Sequence, residues 1–107
     1  MTTTAITYDD VLLVPAYNHH ESRRVVNISN RDRLGKLELD VPIISANMDT
    51  VTESKMANFM SSKGAMGALH RFMTIDENVQ EFKACSGKVF VSIGCNAAEL
   101  ERAEALR

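Results

Sequence analysis

Tryptophan is missing from this sequence, aromatic residues make up only 6% of it, and its 107 residues include two cysteines, two prolines and five glycines. Each scarcity excludes something. Two cysteines, Cys85 and Cys95, supply neither a disulfide framework nor metal-type spacing, so both read as buried structural thiols. His19-His20 has diverging neighbouring side chains and no third ligand in sight, which makes it a loop pair and leaves no metal site to expect. No stretch approaches the roughly 20 apolar residues of a membrane span. The start, Met1-Thr-Thr-Thr-Ala-Ile-Thr-Tyr-Asp-Asp, lacks the basic and then apolar regions of a signal peptide, so a cytoplasmic protein is expected. An excess of either charge is lacking too. A net charge of −2 and a pI near 5.9 offer no electrostatic case for nucleic acid or an anionic membrane as partner. The mixed Arg31-Asp-Arg segment reads as a solvated turn.

What is present is a repeat. Apolar runs of strand character begin at Val41, Ala65 and Val89, a constant interval of 24 residues, and each leads into a helix-start signal. Thr50 with Glu53 and Thr74 with Glu77 fit the capping box, and Asn96 with Glu99 is a weaker version. Helical spacing then sets out one apolar stripe per unit: Met56, Phe59 and Met60; Ile75, Val79 and Phe82; Leu100, Ala103 and Leu106. Met48, Phe59 and Met60 read as core. Gly64 and Gly87 stand where left-handed helix C-caps are wanted.

Apolar strands alternating with helices predict a parallel sheet with right-handed crossovers. Repeating units of this size suit a (β/α)8 TIM barrel, which takes roughly 200 residues or more, so this α/β chain reads as its first part. On that reading residues 1–107 are the N-terminal part of one barrel domain, with three β/α units in residues 41–107. Residues 1–40 form an appendage closing one end of the barrel, with short strands after Tyr8-Asp-Asp and over Val25–Ile28. A half-Rossmann domain also gives β-α-β-α-β, but no Gly-x-Gly-x-x-Gly follows any strand.

The sharpest functional signal is Pro42-Ile-Ile-Ser-Ala-Asn-Met-Asp-Thr-Val-Thr-Glu, where an apolar run breaks into a polar cluster and then a helix start. Parallel α/β folds hold ligands at that join, because the strand delivers side chains to one spot and the helix start offers unpaired N–H groups. Cys95 stands at the equivalent join after the third run, where a helix start stabilises a thiolate. Ser22-Arg23-Arg24 lies in a polar loop, able to grip a phosphate but by default solvated.

Tyr8-Asp-Asp-Val-Leu-Leu-Val-Pro, Pro42-Ile-Ile-Ser-Ala-Asn-Met-Asp-Thr-Val-Thr-Glu and Leu69-His-Arg-Phe-Met together resemble the N-terminal portion of the IMP dehydrogenase and GMP reductase family. The resemblance implies a (β/α)8 barrel, a homotetramer, a purine nucleotide (GMP or IMP), a nicotinamide cofactor, and a monovalent cation (K+) whose site lies outside these residues. Three details resemble the reductase branch: Asn47 before Met-Asp-Thr, the His70-Arg71-Phe72 form, and the direct passage from Ser86 to Val89 where most dehydrogenases insert regulatory modules.

In such a reductase a cysteine attacks C2 of GMP, ammonia leaves, and NADPH delivers hydride to give IMP. That cysteine falls beyond Arg107, and neither Cys85 nor Cys95 matches its motif. The resemblance carries Ser45, Asn47, Met48 and Asp49 over as nucleotide contacts. It carries His70 and Arg71 over as cofactor contacts, with Ser22 and Arg23 as a pair reaching a neighbouring subunit's NADPH. The competing expectations are an NAD-dependent IMP dehydrogenase without regulatory modules and a non-catalytic piece that acts only by associating with complementary barrel segments.

Overall fold

The apolar runs become three parallel strands, and a computed structural model describes them within residues 4–29 and 37–107. Arg31-Asp-Arg lies outside the described residues. Strands β1 (Ile44–Ser45), β2 (Met66–Leu69) and β3 (Val89–Val91) alternate with helices α1 (Ser54–Ser62), α2 (Ile75–Lys83) and α3 (Ala98–Ala105). The sheet order is β1-β2-β3, with Ile44 opposite Met66 and Gly67 opposite Val89. Helices α1 and α2 are the crossovers the two parallel pairs require, so the even spacing of the runs becomes a sequential parallel sheet. No described helix is long and apolar enough to cross a membrane.

The core lies between α1 and β2. Leu39, Ala57, Ala65, Met66 and Leu69 are buried there or beside it, with Leu106 buried at the end of α3. Leu69 has no exposed surface at all, a burial worth about 1.5–3 kcal/mol for a leucine. Small residues permit the close packing of helix on strand. A Cβ on Gly67 would stand 2.8 Å from Ala57 Cα and 3.1 Å from Thr52 Cγ2, so only glycine fits on the strand where α1 crosses it.

The two candidate C-cap glycines part ways. Gly64 has φ +73° and makes the left-handed turn between α1 and β2, its carbonyl accepting a 3.0 Å hydrogen bond from Val41 N. Gly87 does not adopt that conformation. It is required instead because a Cβ there would run into the Ser61 side chain.

Helix starts divide in the same way. Thr74 and Glu77 form the expected box at α2, with Glu77 N donating to Thr74 Oγ1 at 3.2 Å and Thr74 N to Glu77 Oε2 at 2.8 Å. At α3 only half forms: Asn96 Oδ1 accepts from Glu99 N at 3.1 Å, while the Glu99 carboxylate turns elsewhere. The Thr50–Glu53 box does not form. Helix α1 begins later, at Ser54, whose amide donates to Glu81 Oε2 of α2 at 2.7 Å. A carboxylate from the next unit thus caps the start of α1.

The short strands expected near the N-terminus are also corrected. Residues 4–29 contain two 3-10 turns, Tyr8–Asp10 and Arg23–Val25, and no strand, because an extended segment becomes a strand only when an edge accepts it. Tyr8, Leu12, Leu13, Val14 and Tyr17 are 88–97% exposed. The radius of gyration is accordingly 18.0 Å, against about 13 Å for a compact domain of this size.

Candidate functional site

Strands that run parallel bring their C-terminal ends to one edge, and the polar residues following β1, β2 and β3 meet there. After β1, the fully buried Thr52 bonds through its hydroxyl to the Ala46 carbonyl at 2.6 Å and to Ser45 Oγ at 2.9 Å. The Met48 carbonyl accepts from both Val51 N at 2.9 Å and Thr52 N at 3.0 Å. These bonds fold residues 46–52 into a tight turn that projects Asn47, Met48 and Asp49 outward, all exposed. Asn47 Nδ2 donates to Ser92 Oγ, just past β3, at 2.7 Å. That bond ties the first strand end to the third, over the end of β2.

After β2 come His70 and Arg71, which behave differently. The His70 ring is buried, with Nδ1 accepting from Phe72 N at 3.1 Å and Nε2 lying 3.4 Å from Glu53 Oε1. It pins the chain direction after β2 against the start of α1. Arg71 faces solvent, its guanidinium 5.4 Å from the Phe72 ring centre and 3.9 Å from Glu99 Oε1. Beneath it lies a buried polar cluster. Arg102 donates to the Met73 carbonyl at 2.9 Å, to Asn78 Oδ1 at 3.1 Å and to Glu99 Oε2 at 3.0 Å. Asn78, also fully buried, donates to the His70 carbonyl at 3.3 Å. Glu99 Oε2 further accepts from Gly94 N at 3.1 Å. The Gly94 amide holds the Glu99 carboxyl below the usual carboxylate range, against the effect of burial, and the charges of Arg102 and Arg71 add to it.

Two open clefts flank this edge. One of about 420 Å³ runs along α1 and is lined by Asp49, Val51, Lys55, Met56 and Phe59 among others. A second, about 410 Å³, is acidic, with Asp49, Glu53, Glu77 and Glu81 around His70. No group of three or more metal-ligating side chains with a metal's geometry occurs among the described residues.

The sequence-derived residues are thus partly brought together. Ser45, Asn47, Met48, Asp49, His70 and Arg71 share one edge of the sheet. Ser22 and Arg23 do not join them: Ser22 Oγ accepts from Arg24 N at 3.2 Å in an exposed 3-10 turn, and among the described residues no hydrogen bond or ion pair links the pair to the edge. Met48 and Phe59, read as core, are 52% and 57% exposed, and Leu100 is exposed as well, since the described residues leave those faces open. Cys95 is exposed where a buried thiol was expected. Cys85 is half-buried, its thiol pushed up by burial and by the Glu81 charge, which makes it a poor nucleophile. Thr52, Asn78, Ser92, Glu99 and Arg102 went unnoticed as site residues. The Glu99-to-Arg102 spacing of an i,i+3 helix pair was the one available signal, and it reads equally as a solvated face.

Residues 5–106 match the IMP dehydrogenase / GMP reductase domain family. The chain is 45% identical over 76 residues to the inosine-5′-monophosphate dehydrogenase of Nitrosopumilus maritimus (strain SCM1), covering 71% of this chain and 16% of that protein. It is 47% identical over 72 residues to the GMP reductase of Leishmania donovani, covering 67% of this chain and 14% of that protein. Among solved structures it resembles the inosine 5′ monophosphate dehydrogenase from Legionella pneumophila, with a TM-score of 0.84 and 76% identity over 97% of this chain. It spans 32% of that Legionella chain.

Proposed function

Because this chain belongs to the IMP dehydrogenase / GMP reductase family, we propose that it forms the first three β/α units of a (β/α)8 barrel that reduces GMP to IMP and ammonia with NADPH. The observation that carries the reading is the shared edge. Asn47, Met48 and Asp49 after β1, Arg71 after β2 and Ser92 after β3 stand together where a barrel of parallel strands holds its substrates. The NADPH would supply hydride. This chain's part is to bind and orient: Asn47 and Met48 face the purine, and Arg71 offers a fixed cation to the cofactor's phosphates. The nucleophilic cysteine is assigned to neither Cys85 nor Cys95 and belongs to the remainder of the barrel. Ser22 and Arg23 serve a neighbouring subunit's cofactor within a homotetramer, and the protein works in the cytoplasm.

The reductive direction rests on Asn47, on His70-Arg71-Phe72, and on the passage from α2 to β3, where five residues, 84–88, join Lys83 to Val89. A second reading has its own support, since the 76%-identical solved chain carries the name of an IMP dehydrogenase. On that reading the same edge serves NAD-dependent oxidation of IMP. The two chemistries differ in water: a dehydrogenase must admit it to hydrolyse the covalent intermediate, and a reductase must exclude it. The full-length protein is mixed with GMP plus NADPH, and separately with IMP plus NAD, and absorbance of the reduced cofactor is followed. Loss of the band in the first mixture only is expected. Growth in the second with no loss in the first would make the protein a dehydrogenase.

A further inference from the structure

Arg71 is the exposed end of a chain of contacts, and its position depends on what stands behind it. Its guanidinium lies 3.9 Å from Glu99 Oε1, and 42% of the side chain is open to solvent. Glu99 is not a surface carboxylate free to follow Arg71 about. Its other oxygen is fixed by Gly94 N at 3.1 Å and by Arg102 Nε at 3.0 Å. Arg102 is in turn immobilised by the Met73 carbonyl and by Asn78, which grips the His70 carbonyl. The carboxylate therefore has one oxygen locked into the protein and one turned toward Arg71.

We propose that Glu99 is a positioning residue that holds the Arg71 guanidinium in place for the cofactor, with Arg102 as the buried counter-charge that lets it do so. This rests on the reading of Arg71 as the cofactor's phosphate contact. Charge decides the sign of the effect. A carboxylate facing Arg71 alone would cancel the cation and weaken its hold on a phosphate. Arg71, Glu99 and Arg102 together carry one net positive charge, so Glu99 orients Arg71 while the group keeps its attraction for an anion. A long arginine side chain tethered before binding loses less rotamer freedom when the ligand arrives.

Glu99→Gln separates orientation from architecture. A glutamine oxygen still accepts from Gly94 N and Arg102, and its NH2 group then faces Arg71 without attraction. In the full-length protein Glu99→Gln should raise KM for the nicotinamide cofactor about three- to tenfold, with kcat and KM for the nucleotide within about twofold, although the melting temperature falls as buried Arg102 loses its carboxylate. In a double-mutant cycle, adding Glu99→Gln to Arg71→Ala should raise cofactor KM no further, because the tether has nothing left to hold. Glu99→Asp, which keeps the charge but withdraws it by one methylene, should raise cofactor KM less than Glu99→Gln, and it decides the matter if the glutamine variant does not fold. Unchanged cofactor KM in both Glu99 variants, with KM raised in Arg71→Ala, would overturn this inference alone. An unchanged KM in Arg71→Ala would overturn the reading of Arg71 and this inference with it. A fall in kcat with both KM values raised alike would make Glu99 purely structural.

Discussion

Arg71→Ala in the full-length protein removes charge-assisted bonds worth roughly 1.5–3 kcal/mol when made to a phosphate. Cofactor KM should rise about ten- to a hundredfold while nucleotide KM moves little, measured by steady-state kinetics at varied NADPH. A second test falls on Thr52, whose buried hydroxyl joins Ser45 and the Ala46 carbonyl. Thr52→Val keeps the shape and deprives the Ala46 carbonyl and the Ser45 hydroxyl of a partner, so it should lower stability by about 1–3 kcal/mol in a denaturant melt, while Thr52→Ser retains most of the stability. These residues differ in how readily a sequence discloses them. Asn47, His70 and Arg71 were legible as strand-end residues through short motifs. Thr52, Asn78 and Arg102 were not, because a lone polar residue in a helical or turn pattern reads as solvent-facing until its partners from other units are known. Met48 and Phe59 misled for the converse reason: an apolar pattern marks a face that needs cover without saying that the cover is at hand.

Helices and strands were read better than their ends. The 24-residue interval located all three strands, and the box at α2 formed as written, because both partners sit within one turn. Thr74→Ala should therefore lower stability by about 0.5–2 kcal/mol in a thermal melt. At α1 the local signal failed: the helix starts at Ser54 instead, and its amide donates to Glu81, 27 residues on, at 2.7 Å. That capture has a pH signature. Glu81 is held below its usual range chiefly by bonds from Ser54, and Glu77 by its bonds from Thr74. Carboxyls depressed in the folded state stabilise it above their unfolded value of about 4.5, and the contribution fades as pH falls through the lower folded values. Melts recorded from pH 7 down to pH 3 should show stability declining below about pH 4.5. Glu81→Gln should flatten part of that decline.

Taken whole, the described residues make a sheet whose outer strands each keep an edge that no other described strand pairs, with Phe59, Leu100 and the apolar side chains of residues 6–17 exposed. Exposed edges and apolar faces favour association. Purified alone, the 107-residue chain should bind a hydrophobic dye and elute as mixed oligomers, as judged by size exclusion with light scattering. A sharp monomer that melts cooperatively would refute the barrel-segment reading. The parallel α/β sheet was legible in the sequence because periodicity and spacing are local properties. The path of residues 4–29 was not, since an extended segment takes its conformation from whatever it docks upon. The strand register bears on the order of events during folding. Ile44 pairs with Met66 and Gly67 with Val89, so both ladders join residues 22 positions apart. Equal loops carry nearly equal closure entropy, which gives neither ladder a head start on that account. The tie is broken by packing, and the seating of Ala57 on Gly67 places α1 across β2. The β1-α1-β2 unit should thus nucleate, with β3 added afterwards, an order that matches emergence of the chain from a ribosome.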